Sequence, residues 1–171
     1  MSDASKPQTS SSSPQISPEA AEKLFLGEIS PGQFLGFSQQ QLYKIAISGH
    51  EMLKSGNLQT ALDIFKGLVA ASPHDSVFHC NLAAVYVGME DYEEAMKAYS
   101  RSIELNIANV DALVGRSELY LRAGKVPEAL KDIEVAIKAD PEAKKDNTKR
   151  ARTTLMMLKK MAESAEASNK K

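Results

Sequence analysis

The sequence predicts an all-α protein: three antiparallel helix pairs in series, an N-terminal helix before them and a C-terminal capping helix after them. Three observations predict it. First, a period of 34 residues brings Leu42 to Asp75, Ser76 to Asn109 and Val110 to Ala143 into register. Second, the same residue types recur within that period. Gly49, Ala83 and Ser117 are small; Met52, Tyr86 and Tyr120 are large; Ala61, Ala95 and Ala129 coincide, as do Leu62, Met96 and Leu130, and Phe65, Tyr99 and Ile133. Pro73 and Pro141 close the outer units, with Ile107 at that place in the central one. Third, hydrophobic residues make up 43% of the chain but aromatics only 6%, with no Trp, which suits helices packed through Ala, Leu and Met.

The elements can be justified in order. Residues 1–17 are rich in Ser, Pro and Gln and hold almost no large apolar side chain, so they are expected to stay disordered. Residues 18–37 follow as an N-terminal helix and an apolar link. Ser17-Pro18-Glu19-Ala20 places a cap, a first-turn proline and an acid at a helix start. The helix runs to about Glu28, and Ser30-Pro31-Gly32 breaks it. Leu24, Phe25, Ile29, Phe34 and Leu35 form an apolar cluster with two readings, a lid on the first helix pair or a homodimer surface. Ser38 and Gln41 form a capping box, flanked by Phe37 and Leu42 as a hydrophobic staple, so the first long helix starts near Gln39.

Residues 38–143 hold the three units. Gly49, Ala83 and Ser117 let the second helix of each unit approach the first, and Ala61, Ala95 and Ala129 give the facing small surface. Gly56 and Gly124 sit at the turn inside their units, where a left-handed backbone is cheap, and Glu90-Asp91 stands there in the central unit. Asp91 is expected to cap the next helix with Glu94 as reciprocal partner, and Asn57 to cap the matching helix of the first unit. Residues 144–165 read as the capping helix, with Ala151, Leu155, Leu158 and Met161 on one face, and residues 166–171 as a frayed end. Its basic residues Lys144, Lys145, Lys149, Arg150 and Arg152 are read either as a solvated face or as a lure for an acidic partner.

Charge and motif content exclude several functions. A formal net charge of −1 exerts no pull toward nucleic acid or anionic membrane. No stretch is apolar for long enough to insert in a membrane, and no basic-then-apolar leader opens the chain. The lone Cys80 forms no internal disulfide and fits a reducing, cytoplasmic setting. His50, His74 and His79 never pair at three or four residues, so no metal site is expected. Gly124-Lys125 lacks the spacing of a phosphate loop, and no nucleophile elbow is present. We expect no catalytic residue, no cofactor and no enzyme activity, but a surface that holds another chain.

The small residue, later aromatic, alanine and closing proline at this period are the tetratricopeptide pattern. That resemblance implies a right-handed superhelix whose first helices line a concave peptide-binding groove. Projected onto this chain, the lining is Tyr43, Ala46, Ile47, His50 and Leu53 in the first unit. It continues as Val77, Cys80, Asn81, Ala84 and Val87 in the second, and Asp111, Val114, Glu118 and Leu121 in the third. An apolar stripe outside the core seam suits an extended or helical peptide, unless the chain's own N-terminal segment or last helix fills it. The tetratricopeptide domains that clamp the acidic tails of heat-shock chaperones place two Lys, an Arg and two Asn in this groove. Here Ala46, His50, Asn81, Asp111 and Gly115 stand there, and Asp111 repels a carboxylate.

Over Glu22 to Glu163 the chain resembles the class II type III secretion chaperones. Phe34-Leu35-Gly36-Phe37-Ser38, Leu42 to Phe65, Phe78-His79-Cys80-Asn81-Leu82-Ala83-Ala84-Val85-Tyr86 and Tyr92-Glu93-Glu94-Ala95 carry the likeness, with Ile107 in place of the second closing proline. It departs from the family at Ala46 and His50, where aromatics are usual. The resemblance implies a cytoplasmic, non-catalytic chaperone that masks a hydrophobic translocator protein until secretion. The other reading is a scaffold joining components of a bacterial complex.

Overall fold

The computed structural model describes residues 17–169. Among them lie nine α-helices and no strand: α1 (Pro18–Phe25), α2 (Pro31–Phe34), α3 (Gln39–Lys54), α4 (Leu58–Ala71), α5 (Ser76–Gly88), α6 (Tyr92–Leu105), α7 (Val110–Arg122), α8 (Val126–Ala139) and α9 (Asp146–Asn169). The pairs α3/α4, α5/α6 and α7/α8 pack in series, and α9 packs on both members of the last pair. The tail expected over 1–17 lies outside the described residues apart from Ser17, which caps α1.

Close approach within each pair follows from the small residues. Ala61, Ala83, Ala95 and Ala129 are fully buried, and a Cβ added at Gly49 would lie 2.9 Å from the Phe65 ring. The turns inside the pairs need a left-handed residue. Gly56 (φ 78°) and Gly124 (φ 71°) supply it, and Glu90 (φ 61°) adopts it at the small cost such a residue bears there.

The caps match the sequence in part. Ser38 and Gln41 form the expected reciprocal box on α3. Asp75 caps α5 by accepting from Val77 N at 2.9 Å, and Asn109 caps α7 by accepting from Ala112 N at 3.2 Å. Asp91 accepts from Glu94 N at 3.2 Å, but the Glu94 side chain turns instead to Lys97 at 2.7 Å. A charged partner three residues away outcompetes the box. Asn57 makes no cap bond at all; its carboxamide points to Met52 Sδ, 3.9 Å away.

Several boundaries differ from the expectation. The first helix ends at Phe25 rather than near Glu28. The link after α1 is not irregular: Ser30 and Gln33 form a second capping box, and Pro31–Phe34 makes a single helical turn. Gly32 in that turn presses on the end of α4, where an added Cβ would meet Ala71 O at 2.9 Å. The capping helix starts at Asp146 rather than Lys144, because Asp140 gathers the intervening chain. Its carboxylate accepts from Lys144 N (3.1 Å), Lys145 N (2.9 Å) and Thr148 Oγ1 (2.6 Å), and Ala143 takes φ 52°. The helix then runs to Asn169, past the point where fraying was expected.

The core has two clusters that share α5. Phe78, Leu82 and Val85 face the first pair, with Phe65 and Leu42; Cys80 and Ala83 face the third, with Leu113, Ile133 and Ala151. A helix packed on two sides must be apolar nearly all round, as Val-Phe-His-Cys-Asn-Leu-Ala-Ala-Val is. Junctions between pairs are fixed by buried polar bonds. Ser102 Oγ donates to Ser76 O at 2.7 Å and accepts from Asn109 Nδ2 at 3.0 Å.

Candidate functional site

The first helices α3, α5 and α7 present one face at the second, sixth and ninth places of each repeat, the spacing of one helix side. Those places hold Tyr43, Ile47 and His50, then Val77, Asn81 and Ala84, then Asp111, Gly115 and Glu118. Where the central and third units meet, the face sinks into a cavity of about 360 Å³. His50, Val77, Cys80, Asn81, Ala84, Asp111 and Glu118, all expected in the groove, line it together. Tyr99, Asn109, Gly115, Asn147 and Arg150 complete the lining.

The expected lining needs correction at the fifth place of the repeat. Ala46 (5% exposed) and Val114 (2%) are core residues, and Cys80 (9%) only grazes the cavity. The fifth place is three residues from the eighth, where Gly49, Ala83 and Ser117 pack on the second helices, so it shares their inward side. Leu53, Val87 and Leu121, all at the twelfth place, are half-buried beside the groove. Tyr43 stands at its N-terminal edge. Its ring lies 5.2 Å from that of Phe78 and its hydroxyl donates to Asp75 at 2.9 Å. Ile47 is exposed with no core role.

The groove is less apolar than expected, because α9 contributes to it. Asp111 accepts from Asn147 Nδ2 at 2.7 Å and pairs with Lys145 at 3.3 Å; Glu118 pairs with Arg150 at 2.6 Å. Lys144 and Lys149 pair with Glu142 and Asp146, and Arg152 donates to Pro141 O. The basic run of the last helix therefore satisfies the chain's own acids and the end of its own loop. It narrows one end of the groove without filling it.

Burial sets the protonation of the floor. The Cys80 thiol is pushed up to about 12 by desolvation, helped by the Asp111 carboxylate and opposed by Lys145. Burial raises the Tyr99 phenol as well, with Cys80 and Glu118 adding to it. Both stay neutral at physiological pH, so Cys80 offers no thiolate nucleophile. Among the described residues no group of three His, Cys, Asp or Glu side chains could hold a metal ion. No helix among them is long and apolar enough to cross a membrane.

The N-terminal cluster divides. Leu24, Ile29 and Phe34 are half-buried, as a lid requires, while Phe25 (90% exposed) and Leu35 (69%) face outward. Sequence reasoning did not include Tyr99, Asn109, Asn147 and Arg150 in the groove. The first two were hidden because they come from the outer helix and a cap, the others because α9 has no place in the repeat register.

Comparison with known proteins agrees with the repeat fold. Two family models, each described as tetratricopeptide repeat, match residues 52–106 and 80–144. A DnaJ homolog subfamily C member 3 from Rattus norvegicus is 27% identical over 113 residues, 66% of this chain. The chain spans only about a fifth (22%) of that relative's length. The type III secretion translocator chaperone SycD of Yersinia enterocolitica superposes with a TM-score of 0.68 at 22% identity, over 75% of this chain and 97% of that one. SycD in complex with a peptide of the translocator YopD gives 0.64 at 23% identity, over 73% and 97%. The chain is a tetratricopeptide-repeat protein, and its fold is that of the translocator chaperones.

Proposed function

We propose that the protein is a non-catalytic cytoplasmic chaperone of type III secretion. Its concave groove holds an apolar segment of a secreted translocator-type client and keeps that client from assembling early. The observation that carries this reading is the cavity between α5 and α7. Its lining includes the small residues Ala84 and Gly115, on the face that three units align, with Cys80 grazing it from the core side. A fold shared with nearly the whole of SycD, a translocator chaperone solved with a translocator peptide, supports it. Masking needs no nucleotide or metal: covering apolar surface lowers the free energy of the client by removing that surface from water.

The scaffold reading, in which the repeats join components of a bacterial complex, draws support from the DnaJ homolog. There a matching array forms about a fifth (22%) of a longer chain. Co-expression with a membrane-active translocator subunit separates the two. The chaperone reading expects the subunit to stay soluble and elute with this protein. A client that aggregates equally with and without it would end that reading and leave the scaffold.

A further inference from the structure

We infer that the client-binding surface continues past the cavity along the free half of α9, where Met157 and Met161 form a second subsite. It takes an apolar segment of the same client with an acidic residue beside it. The inference rests on the reading that the groove holds a client, and it adds where the adjoining segment of that client lies.

The last helix outlasts the two helices that back it. It has 24 residues, against 13 in α7 and 14 in α8. Thr148 and Ala151 are buried and Leu155 and Leu158 half-buried, but every described side chain after Leu158 is exposed. Met161, expected on the packed face, lies beyond that contact and is 67% exposed, and Met157 is 59% exposed. A helix that only closes a repeat array keeps its outward face polar. Here Met156, Met157 and Met161 stand together in water.

This ridge joins the groove. Asn147 and Arg150 line the cavity. Thr154, Met157 and Met161 follow Arg150 at spacings of four, three and four residues, which keeps them on one stripe of the helix. Met161 stands about 16 Å along the helix from Arg150. An extended chain covers that distance with about five residues and a helix with about eleven. At its far end Met157, Lys160, Met161 and Ser164 wall an open depression of about 480 Å³.

The occupant follows from the chemistry of the stripe. Methionine side chains are unbranched and polarisable, so they fit apolar surfaces of different shapes. In the first half of α9, Lys145, Lys149 and Arg150 are engaged by the chain's own acids. Among the described residues no acid pairs with Lys160. A client segment with a carboxylate next to its apolar side chains satisfies both features. A second copy of this chain fits worse, because in a two-fold pair centred on the methionines Lys159 and Lys160 would meet their own copies. A membrane surface is held by several cations together with aromatic or leucine side chains, whereas the apolar residues of this stripe are methionines.

The test uses the full chain and peptides selected on it from a random phage-displayed library. They have about 20 residues, enough to span cavity and ridge whether extended or helical. Peptides whose binding Ala84→Glu abolishes are groove ligands. Those that carry apolar and acidic residues outside the half held by the cavity should bind the double variant Met157→Lys/Met161→Lys at least about tenfold more weakly. Lys160→Glu should weaken the same peptides. Cutting such a peptide down to the half that Ala84→Glu still abolishes should remove both losses. The double variant should keep the wild-type melting temperature, since both side chains are exposed. Groove ligands that all bind it as tightly as the wild type would overturn the ridge and leave the groove function standing. Peptides lost on the double variant but not on Ala84→Glu would make the ridge a separate surface and overturn its continuity with the groove. If no peptide is lost on Ala84→Glu, the groove reading and its extension fall together. Sedimentation equilibrium and flotation with vesicles of phosphatidylcholine and phosphatidylserine test the other two occupants. Self-association or vesicle binding that the double variant abolishes would assign the ridge to a second copy or to a membrane and overturn the client subsite. A destabilised double variant would mean that the methionines pack in the free protein, which also overturns it.

Discussion

Arg116 forks onto Asp132 across the last helix pair: Nε donates to Oδ2 at 2.7 Å and Nη2 to Oδ1 at 2.8 Å. The remaining guanidinium nitrogen donates to Ser100 Oγ at 3.1 Å, so one side chain ties α6, α7 and α8. The side chains are 19% and 8% exposed, which sets this pair apart from the other ion pairs among the described residues. Asp132→Ala leaves the guanidinium mostly buried without its counter-charge, and about 3–5 kcal/mol of stability should be lost. Chemical denaturation measures it. A loss below about 1 kcal/mol would place the pair among ordinary surface bridges.

Packing in the central unit gives a second prediction. Ala95 is fully buried between α5 and α6, so Ala95→Leu should overpack that contact and cost about 1–3 kcal/mol. Gly88→Ala should cost less. Its added Cβ would meet Leu58 Cδ2 at 3.0 Å, the far end of a flexible side chain in the last turn of α5. Thermal melts in the reverse order would show the helix-pair register to be wrong.

Acid should loosen the closing helix before the rest of the array. Hydrogen bonds from the Thr148 hydroxyl and from Lys145 and Lys144 N–H hold the Asp140 carboxyl below its ordinary value. A carboxyl lowered in the folded state contributes stability that is present above its unfolded pKa of about 3.9. That contribution is lost as pH falls through the lower, folded value. Hydrogen-exchange protection over 146–155 should therefore fall at low pH while that of α5 persists. Asp140→Asn should reproduce the loss at neutral pH. Equal loss in both helices would assign the effect to global unfolding.

The array was legible because one chemical pattern repeats three times, and each repeat tests the others. Gly49, Ala83 and Ser117 could be read as one contact since each faces an equivalent helix. The same register put His50, Ala84 and Glu118 at its ninth place on one face, and all three line the cavity. It failed where a residue answers to something outside the repeat. Ala46 and Val114 were read as lining because the inner helix faces the groove, but their own side of that helix faces the seam. Gly115 and Tyr99 line the cavity together from different units, which no single-unit pattern displays. Asp140 and Asn147 act through a helix that follows the last repeat. The Asn57 cap failed at the side chain, whose carboxamide turns to Met52 Sδ, while Asp91 caps α6 from nearly the same backbone (φ −84°, ψ 74°).

Truncation tests the N-terminal segment. A chain beginning at Ser38 keeps the α3 cap but loses α2, whose turn covers the end of α4 at Ala71. Pro31, Leu35 and Phe37 also wall an outer groove of about 470 Å³ over Leu42, Ile64 and Leu68, and their loss widens its apolar face. Compared with a chain beginning at Ser17, the shorter one should sediment as larger or heterogeneous species, as exposed apolar patches associate. A monodisperse species of unchanged association state would remove both the lid and the dimer roles.

The functional prediction concerns Ala84. It lies on α5 at the ninth place of the central repeat, one turn from Cys80, half-buried and in the wall of the cavity. Ala84→Glu forces a bound client to bury a carboxylate near Glu118 and Asp111, whose own cations are already engaged. Burying such a group without a partner costs several kcal/mol. A loss of about 3 kcal/mol weakens binding more than a hundredfold. In the free protein the new side chain reaches the water of the groove from a helix, where Glu is well tolerated. Circular dichroism and the melting temperature should therefore barely change, while a translocator-type client no longer co-purifies. An unfolded variant would make Ala84 a core residue and put the groove on the wrong face. Unchanged binding would move the contact surface away from α5, and the outer groove walled by Leu35 and Phe37 would be the next surface to test with a charge.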